Sequence, residues 1–507
     1  FLGLATSAYA VTQDKTMPTN ALYRQITSQK GWLNTSRALT PADLTGRIVL
    51  LDFWTYCCIN CMHIMPDLTY LEKTFGDKLT VIGVHSAKFA NERDTENIRQ
   101  AILRHDLHHP VVNDFDFSVW QGFAVHAWPT LILINPEGKI EQVYSGEGHR
   151  ADLEKDIQKL IKKYDGKLVE KPLPIALEKD KAPASLLNFP TKLVYAPDYR
   201  DREVFFIADS GNQRILAITQ DGSVVEQIGS GKAGREDGDF EIAQFAMPQG
   251  LAYRDQTLYI ADTGNHLLRA AHLNARQVVT LAGNGKQGYK REVRGAAALS
   301  APLASPWDLT FYPDDKLAIA MAGTHQLWQY DPKAKTVSVI AGNGREAIDD
   351  GRYPSNSLSQ PSGLSALGEA LYFVDAETSS LRVLENGKIT TLIGHGLFDF
   401  GLKDGTRRDA QMQHALGLVA TQDTVYIADS YNHAIRAYDI KTGVLSTLAG
   451  TGKRGNKDGS LREASFNEPN DITLVSGKLY VADTNNHAIR VIDLKAQSVS
   501  TLAIKEN

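Results

Sequence analysis

Hydrophobic and polar residues alternate with two different periods in the two parts of this chain. Up to about residue 165, apolar runs typical of buried strands, such as Ile48–Phe53 and Leu79–Val84, alternate with segments of helical spacing. The predicted helices cover 58–75, 91–105 and 151–163, and a hairpin is predicted over 130–144. This alternation predicts an α/β domain over residues 21–165.

From Phe189 onward, one strand pattern returns at a nearly fixed spacing. Its copies include Tyr259–His266, Tyr426–His433 and Tyr480–His487, and each strand is followed by a short polar turn. The aligned positions 209, 262, 321, 375, 429 and 483 are 53, 59, 54, 54 and 54 residues apart. A period of this size, with several short β segments in each copy, predicts an all-β propeller of six blades over residues 189–507.

Two further segments lie outside these domains. Residues 166–188 contain several Lys and Pro residues and are predicted to be an extended linker. Residues 1–20 are predicted to be the remnant of a signal peptide or an extended N-terminus, because the first ten are small or apolar and end in Ala8-Tyr9-Ala10. A signal peptide predicts export to the periplasm or an equivalent extracytoplasmic compartment, and a cytoplasmic location is the alternative.

Composition excludes several classes of protein. The 507 residues carry a net charge of -5 and a pI of about 6.3, which disfavours a nucleic-acid-binding protein. No apolar run has the length of a membrane span. The chain has only 3 cysteines, all within Cys57–Cys61, so a fold held together by many disulfides is excluded.

The cysteine cluster is the strongest indication of chemistry. Cys58 and Cys61 have the C-x-x-C spacing of a dithiol that closes and opens a disulfide. They stand at the start of a predicted helix, where free backbone N–H groups favour a thiolate on the first cysteine. Cys58 is therefore the predicted attacking thiolate, and Cys61 is the predicted resolving thiol.

Other interpretations of this cluster remain open. The pair is an inert structural dithiol, or Cys57, Cys58, Cys61 and His63 hold a metal ion, although helical geometry scatters these ligands. Cys57 alone is either a small core residue or a third thiol that competes for Cys61. Six further histidines match no metal-ligand spacing and are predicted to have surface or local hydrogen-bonding roles: 85, 105, 108, 109, 126 and 149.

Residues that recur once per blade are predicted to be structural. The repeated Asp and Asn belong to this class, as do His266, His325, His433 and His487. Three G-x-G-x-x-G segments also recur at the blade period, and no helical pattern follows them, so they are predicted turns and not nucleotide sites. We expect no cofactor beyond the dithiol and no resident metal.

The repeat Tyr-x-Ala-Asp-x-x-Asn-His-x-Ile-Arg resembles the NHL repeat, and the N-terminal domain resembles the TlpA-like branch of the thioredoxin fold. On this resemblance, Asp52 is the buried acid that assists proton transfer at Cys61, and Trp54 lies at the strand end that leads into the site. Pro129 is the cis-proline that faces the dithiol. Trp128 precedes it and is bulky enough to narrow the groove for a partner.

The combination of the two domains resembles the family of the animal NHL-repeat-containing thioredoxin-like protein and the lumenal part of plant suppressor of quenching. The resemblance implies a thiol–disulfide oxidoreductase that acts on protein disulfides, with a propeller that binds the partner. The alternatives are a redox-sensing interaction scaffold without turnover and, less favoured, a propeller hydrolase with a central metal.

Overall fold

A computed structural model describes residues 19–506, in two compact units that divide between Ala182 and Pro183. The predicted signal-peptide remnant, residues 1–20, lies outside the described residues except for the backbone of its last two, which begin the first helix. No helix among the described residues is long and apolar enough to cross a membrane.

The first unit is the predicted α/β domain. Its five-stranded sheet has the order β3-β2-β1-β4-β5, in which β1, β2 and β3 are parallel and β4 and β5 are antiparallel. The strands are β1 Ile48–Trp54, β2 Leu79–His85, β3 Val111–Asn113, β4 Thr130–Ile134 and β5 Ile140–Ser145. The helices are α1 Thr19–Thr27, α2 Pro41–Leu44, α3 Ile59–Phe75, α4 Thr95–Arg104, α5 Ser118–Gly122 and α6 Arg150–Lys163.

The two faces of this sheet are covered by different helices, which explains why β1 is apolar along most of its length. Val49 and Leu51 pack in one core with residues of α1 and α5, whereas Ile48 and Leu50 pack in a second core with α3 and α6. Alternation along the strand puts Asp52 on the same face as Ile48 and Leu50. The carboxyl therefore lies on the side of the sheet that α3 covers.

The predicted linker is divided between the units. Up to Ala182 it packs on the first unit: Val169 N donates to Gly46 O at 3.0 Å, and Ala176 N donates to Asn34 O at 3.0 Å. Beyond it, Leu187 is buried in the core of the propeller. The prediction of an extended linker over 166–188 misses this packing, because some apolar side chains between the prolines pack on the first unit and others pack on the second.

The second unit is a six-bladed propeller, as the repeat predicts. Each blade has four consecutive antiparallel strands. They are β6 Pro190–Tyr199, β7 Arg202–Asp209, β8 Arg214–Thr219 and β9 Val224–Ile228; β11 Pro248–Arg254, β12 Thr257–Asp262, β13 Leu267–His272 and β14 Gln277–Ala282; β16 Pro306–Tyr312, β17 Lys316–Met321, β18 Gln326–Asp331 and β19 Thr336–Ala341; β21 Pro361–Leu367, β22 Ala370–Asp375, β23 Ser380–Glu385 and β24 Lys388–Ile393; β26 Gly417–Ala420, β27 Thr424–Asp429, β28 Ala434–Asp439 and β29 Val444–Ala449; β31 Pro469–Val475, β32 Lys478–Asp483, β33 Ala488–Asp493 and β34 Ser498–Thr501.

The Gly-rich segments that connect one blade to the next, called crossings below, add a short outer strand to each blade after the first. These five strands are β10 Gly238–Asp239, β15 Ala296–Ala297, β20 Gly351–Arg352, β25 Gly405–Thr406 and β30 Gly459–Ser460. The first blade has no crossing before it. Its outer edge pairs instead with the C-terminal segment, where Val224 N donates to Lys505 O at 2.9 Å and Lys505 N donates to Gly222 O at 2.9 Å.

The recurring polar residues hold the blades together, which supports the structural role predicted for them. Asp262 is buried and accepts hydrogen bonds from Ala246 N, Asn265 Nδ2 and Arg269 Nη1, each at 2.8 Å. The same aspartate–arginine pair recurs in the fourth, fifth and sixth blades. His266 Nδ1 accepts a hydrogen bond from Ser305 N of the next blade at 3.0 Å. The regular spacing of these residues along the chain therefore reflects contacts within and between blades.

Candidate active site

The dithiol lies where β1 ends and α3 begins. Cys58 is the N-cap of α3, and its carbonyl accepts hydrogen bonds from Cys61 N at 3.1 Å and Met62 N at 3.2 Å. All three cysteines are free thiols in this structure; Cys58 is half-buried, whereas Cys57 and Cys61 are buried. Cys58 is therefore the most exposed of the three thiols, and it lies at the first turn of α3.

Cys61 has the opposite environment. Burial raises its pKa well above the usual range, and its hydrogen bond with Cys58 and the nearby charges of Cys58 and Asp52 raise it further. A buried thiol with a raised pKa is a poor nucleophile until a base removes its proton. The two cysteines thus lie in different environments, and the roles of attacking and resolving thiol stay predictions.

Asp52 is the candidate base. It is 3% exposed, and its Oδ1 atom has no hydrogen-bond partner among residues 19–506. Burial raises the pKa of Asp52 to about 7; His109 opposes this rise and Glu72 adds to it. A carboxyl with a pKa near neutrality is able both to take and to return a proton.

Pro129 and Trp128 lie beside the strand end that precedes the dithiol. The Trp128–Pro129 peptide bond is cis, as the resemblance implies, and the pairing of Phe53 with Thr130 sets Pro129 opposite Trp54. The Trp128 indole donates from Nε1 to Ser86 O at 2.9 Å and lies 4.4 Å from the ring of Trp120. Trp128 is thus held by a hydrogen bond and an aromatic neighbour.

Trp54 is fully buried and points to the same face as Asp52. Its ring meets the imidazole of His85 edge-on at 4.9 Å, and Tyr56 stacks on His85 at 5.5 Å. Burial lowers the pKa of His85 to about 3, so the ring is a neutral aromatic. The prediction of a surface or hydrogen-bonding role for this residue is wrong, because neither ring nitrogen has a hydrogen-bond partner among the described residues.

Glu92 is a second buried carboxyl beside the dithiol and was not singled out in the sequence. It accepts hydrogen bonds from Cys57 N at 2.9 Å, Lys88 N at 2.9 Å and Phe89 N at 2.8 Å. Burial raises the pKa of Glu92, and the hydrogen bonds from the Phe89 and Cys57 amides oppose that rise. Glu92 therefore fixes the loop that carries Cys57 and positions the start of α3.

His63 is directed to another carboxyl. Its Nδ1 atom lies 2.7 Å from Glu147 Oε2, and the His63 side chain is 4% exposed. Among the described residues, no group of three or more His, Cys, Asp or Glu side chains is arranged to hold a metal ion. The alternative of a site built from His63 and the three cysteines therefore has no geometric support.

The middle of the propeller contains a buried charge cluster that sequence reasoning missed. Lys192, at the start of the innermost strand β6, places Nζ 3.0 Å from Asp308 Oδ2 and 3.4 Å from Asp471 Oδ1. Burial alone would lower the pKa of Lys192, but the two carboxylates together raise it. An ammonium group thus lies between the two carboxylates, so this cluster already contains its own cation.

Two family models match the chain. Residues 46–140 match the model described as Thioredoxin-like, and residues 466–492 match the NHL repeat. The first match contains the dithiol, Asp52 and Pro129, and the second contains the turn and arginine of the sixth blade.

Similar proteins cover nearly the whole chain. Protein SUPPRESSOR OF QUENCHING 1, chloroplastic, of Arabidopsis thaliana is 44% identical over 507 residues, which are 94% of this chain and 47% of that protein. NHL repeat-containing protein 2 of Homo sapiens is 42% identical over 513 residues, 93% of this chain and 70% of that protein. A match limited to the first domain, Thiol-disulfide oxidoreductase YkuV of Bacillus subtilis (strain 168), is 25% identical over 138 residues, 27% of this chain and 92% of that protein.

This chain spans about half the length of the plant protein and more than two thirds of the human one. The chain consists of a thioredoxin-like fold followed by a six-bladed propeller with an NHL repeat, and the matches to these two proteins extend over both domains. The chain belongs to the family of NHL repeat-containing protein 2.

Proposed function

We propose that this protein is a thiol–disulfide oxidoreductase that acts on protein disulfides through Cys58 and Cys61. The observation that carries the proposal is the contrast between the two thiols: Cys58 is accessible at a helix start, whereas Cys61 is buried beside a carboxyl whose pKa is about 7. A structural pair of cysteines that does not react requires no base beside its buried thiol.

The chemistry follows in two exchanges. The Cys58 thiolate attacks a disulfide of the partner, a bond forms between Cys58 and one partner sulfur, and the other partner sulfur leaves as a thiolate. Cys61 then attacks Cys58, and its proton passes to Asp52. The Cys58–Cys61 disulfide forms, the second partner sulfur leaves as a thiolate that takes up a proton, and the partner has gained two electrons. The reverse sequence oxidises a partner dithiol.

The propeller is proposed as the platform that binds the partner. Its crossings carry large apolar side chains that are 55–63% exposed, Ile242, Tyr289, Leu299 and Phe398. Linking such a surface to the dithiol in one chain raises the effective concentration of a bound partner. The export of the protein stays a prediction, because the residues that suggest it are outside the described range.

The test is a redox titration of the full chain in defined thiol and disulfide buffers, followed by alkylation and mass mapping of the three cysteines. We expect a reversible two-electron couple between Cys58 and Cys61, which a Cys57→Ala variant retains. A Cys61→Ala variant should trap a mixed disulfide on Cys58. Cysteines that stay reduced over the whole range would refute turnover and leave an interaction scaffold.

A redox-sensing scaffold without turnover is the alternative function. A buried Cys58 would favour it, because a sensor that acts through its own disulfide need not admit a partner disulfide. Cys58 is half-buried, and the Asp52 carboxyl has the raised pKa of a candidate base. These two observations support the oxidoreductase more strongly than the scaffold. The titration gives the same reversible couple for both functions, so a turnover assay separates them: an oxidoreductase catalyses reduction of a protein disulfide, and a sensor closes its own disulfide without doing so.

A further inference from the structure

Two buried polar side chains, those of Trp54 and His109, approach Gly83 in β2, the strand neighbour of Asp52. Asp52 and Gly83 are paired in register on β1 and β2. A Cβ atom built on Gly83 would lie 2.9 Å from Trp54 Nε1 and 3.4 Å from His109 Nε2. The small residue at position 83 therefore leaves room for the indole and the imidazole beside β1, and the charge of His109 acts on the Asp52 carboxyl of the paired residue.

The polar atoms of this cluster are unsatisfied. Among residues 19–506, Asp52 Oδ1, Trp54 Nε1 and both ring nitrogens of His109 have no hydrogen-bond partner. Buried polar atoms without partners are costly, and a group of them around one small space is typical of a functional site or of ordered water that links them. The prediction of a surface or hydrogen-bonding role for His109 misses this placement, because tertiary packing buries a residue that lies in a loop.

His109 also connects this cluster to the surface. Its Nδ1 atom lies 3.4 Å from Glu72 Oε1 on α3; the His109 side chain is 3% exposed and that of Glu72 is 27% exposed. The charged groups that act on His109 are Glu72 and Asp52, and those that act on Asp52 are His109 and Glu72. Burial alone would lower the pKa of His109, but the two carboxylates raise it.

We propose that Asp52, His109 and Glu72 form a proton-transfer path that connects the buried thiol of Cys61 with solvent. This inference rests on the proposed function. When Cys61 attacks the mixed disulfide on Cys58, the S–H bond of Cys61 breaks and its proton goes to Asp52. The proton then enters His109 at Nε2, the Nδ1 proton passes to Glu72, and Glu72 exchanges it with water.

His109 is a positioning residue in this scheme, and its protonated form has a second effect. Its positive charge opposes the rise in the pKa of Asp52, so removing it should raise that pKa further. The base would then be ionised only at higher pH, and resolution by Cys61 would slow at neutral pH. This gives the path a signature in the pH profile as well as in the rate.

The experiment isolates the resolving step in the full chain carrying Cys57→Ala. Excess 5,5'-dithiobis(2-nitrobenzoate) converts Cys58 to a mixed disulfide and releases one coloured thiolate; the second, first-order release, caused by attack of Cys61, is followed by stopped flow from about pH 5 to 9. We expect His109→Gln to slow release at pH 7 by about tenfold and to move the midpoint of the profile to higher pH by about one unit. Glu72→Gln, at a half-exposed position, should slow release without loss of folding.

Two further measurements separate a proton path from a structural role. In His109→Ala, added imidazole should restore part of the rate, which a merely structural defect would not allow. His108→Gln is the matched control, because His108 is next in the chain, is 48% exposed and pairs with Asp106, so its profile should coincide with that of the parent protein.

A His109→Gln profile that superimposes on the parent profile would overturn the inference. So would a slow variant with an unchanged midpoint and no rescue by imidazole. If the parent protein itself releases no thiolate, the proposed function fails, and the inference fails with it. The two failures are therefore distinguishable in one set of measurements.

Discussion

Replacing Asp52 by Asn should stabilise the first domain in a manner that depends on pH. The carboxyl is buried, and its pKa is about 7 in the folded chain, whereas the ordinary pKa of an aspartate is 3.8. The folded state therefore holds this proton more tightly than the unfolded state does. Stability contributed by the protonated carboxyl is lost as pH rises from about 4 to about 7, because only the unfolded state ionises freely in that range.

The size of the effect follows from the two pKa values. Their difference corresponds to about 4 kcal/mol once pH exceeds the folded pKa, and to about 2 kcal/mol at pH 5, where the unfolded state is already ionised. Asn is similar in shape and does not ionise. We therefore expect Asp52→Asn to raise the free energy of unfolding by up to about 4 kcal/mol at pH 8, and by less at each lower pH.

Hydrogen–deuterium exchange of the β1 amides in the full chain measures this free energy locally, which avoids treating a two-domain protein as two-state. Asp43→Asn is the matched control with the opposite sign, because the hydrogen bond from Arg37 holds the pKa of Asp43 below its usual range. A difference between Asp52→Asn and the parent that is constant from pH 5 to 8 would refute the raised pKa. The same variant should slow resolution by Cys61, so stability and turnover should move in opposite directions.

Two predictions concern the propeller. Lys192→Met should destabilise it by roughly 3–5 kcal/mol at pH 8, because Asp308 and Asp471 are left buried without their cation. Calorimetry should show a smaller loss of stability at pH 5, where the two carboxyls are more readily protonated. A loss that does not change with pH would contradict this reasoning and would indicate that the cluster is hydrated. His433→Ala should cost about 1–3 kcal/mol, because the Glu468 amide loses the acceptor at 3.1 Å. His433→Ser should cost less, since a serine hydroxyl serves as the acceptor at the corresponding position of the fourth blade, and equal losses in the two variants would contradict this reasoning.

The elements that the sequence predicts well are those with a local signal. The apolar runs of β1 and β2 and the helical spacing of α3 and α6 are visible without any knowledge of contacts. The repeat gives the number of blades. The strands β3 and β10 are different, because each is only two or three residues long and exists by pairing with a distant strand. No local period marks such segments.

Arg214 shows how position within the fold changes a repeat. In the second, fourth, fifth and sixth blades, an arginine seven residues after the aspartate also bonds an aspartate of the preceding crossing, as Arg269 bonds Asp237. The first blade has no preceding crossing. There the arginine stands only five residues after Asp209, and it bonds that aspartate and the carbonyl of Leu186 instead. The different spacing of this arginine in the sequence thus follows from the position of the first blade, which has no crossing before it.

The candidate site was predictable only in part, for a similar reason. Cys58, Cys61, Asp52 and Pro129 carry signals of spacing and resemblance. Glu92 carries none: the helix predicted from Asn91 begins at Thr95, with Asp94 as its N-cap, and the turn before it directs the Glu92 carboxylate to the amides beside the dithiol. Long-range packing creates this role, and spacing along the chain does not reveal it.

The cost of Asp52 bears on the choice between enzyme and sensor. A dithiol that closes once in response to oxidation does not require a nearby base, since its proton has time to leave by local opening. A carboxyl that is expected to lower stability by about 4 kcal/mol at pH 8, and whose Oδ1 atom has no partner among the described residues, contributes nothing to packing that an asparagine would not. The proposed turnover gives the Asp52 carboxyl a role, because each catalytic cycle removes a proton from the buried Cys61 thiol and returns one to it. Destabilising groups at such positions are typical of catalytic sites, and this favours an oxidoreductase over a scaffold.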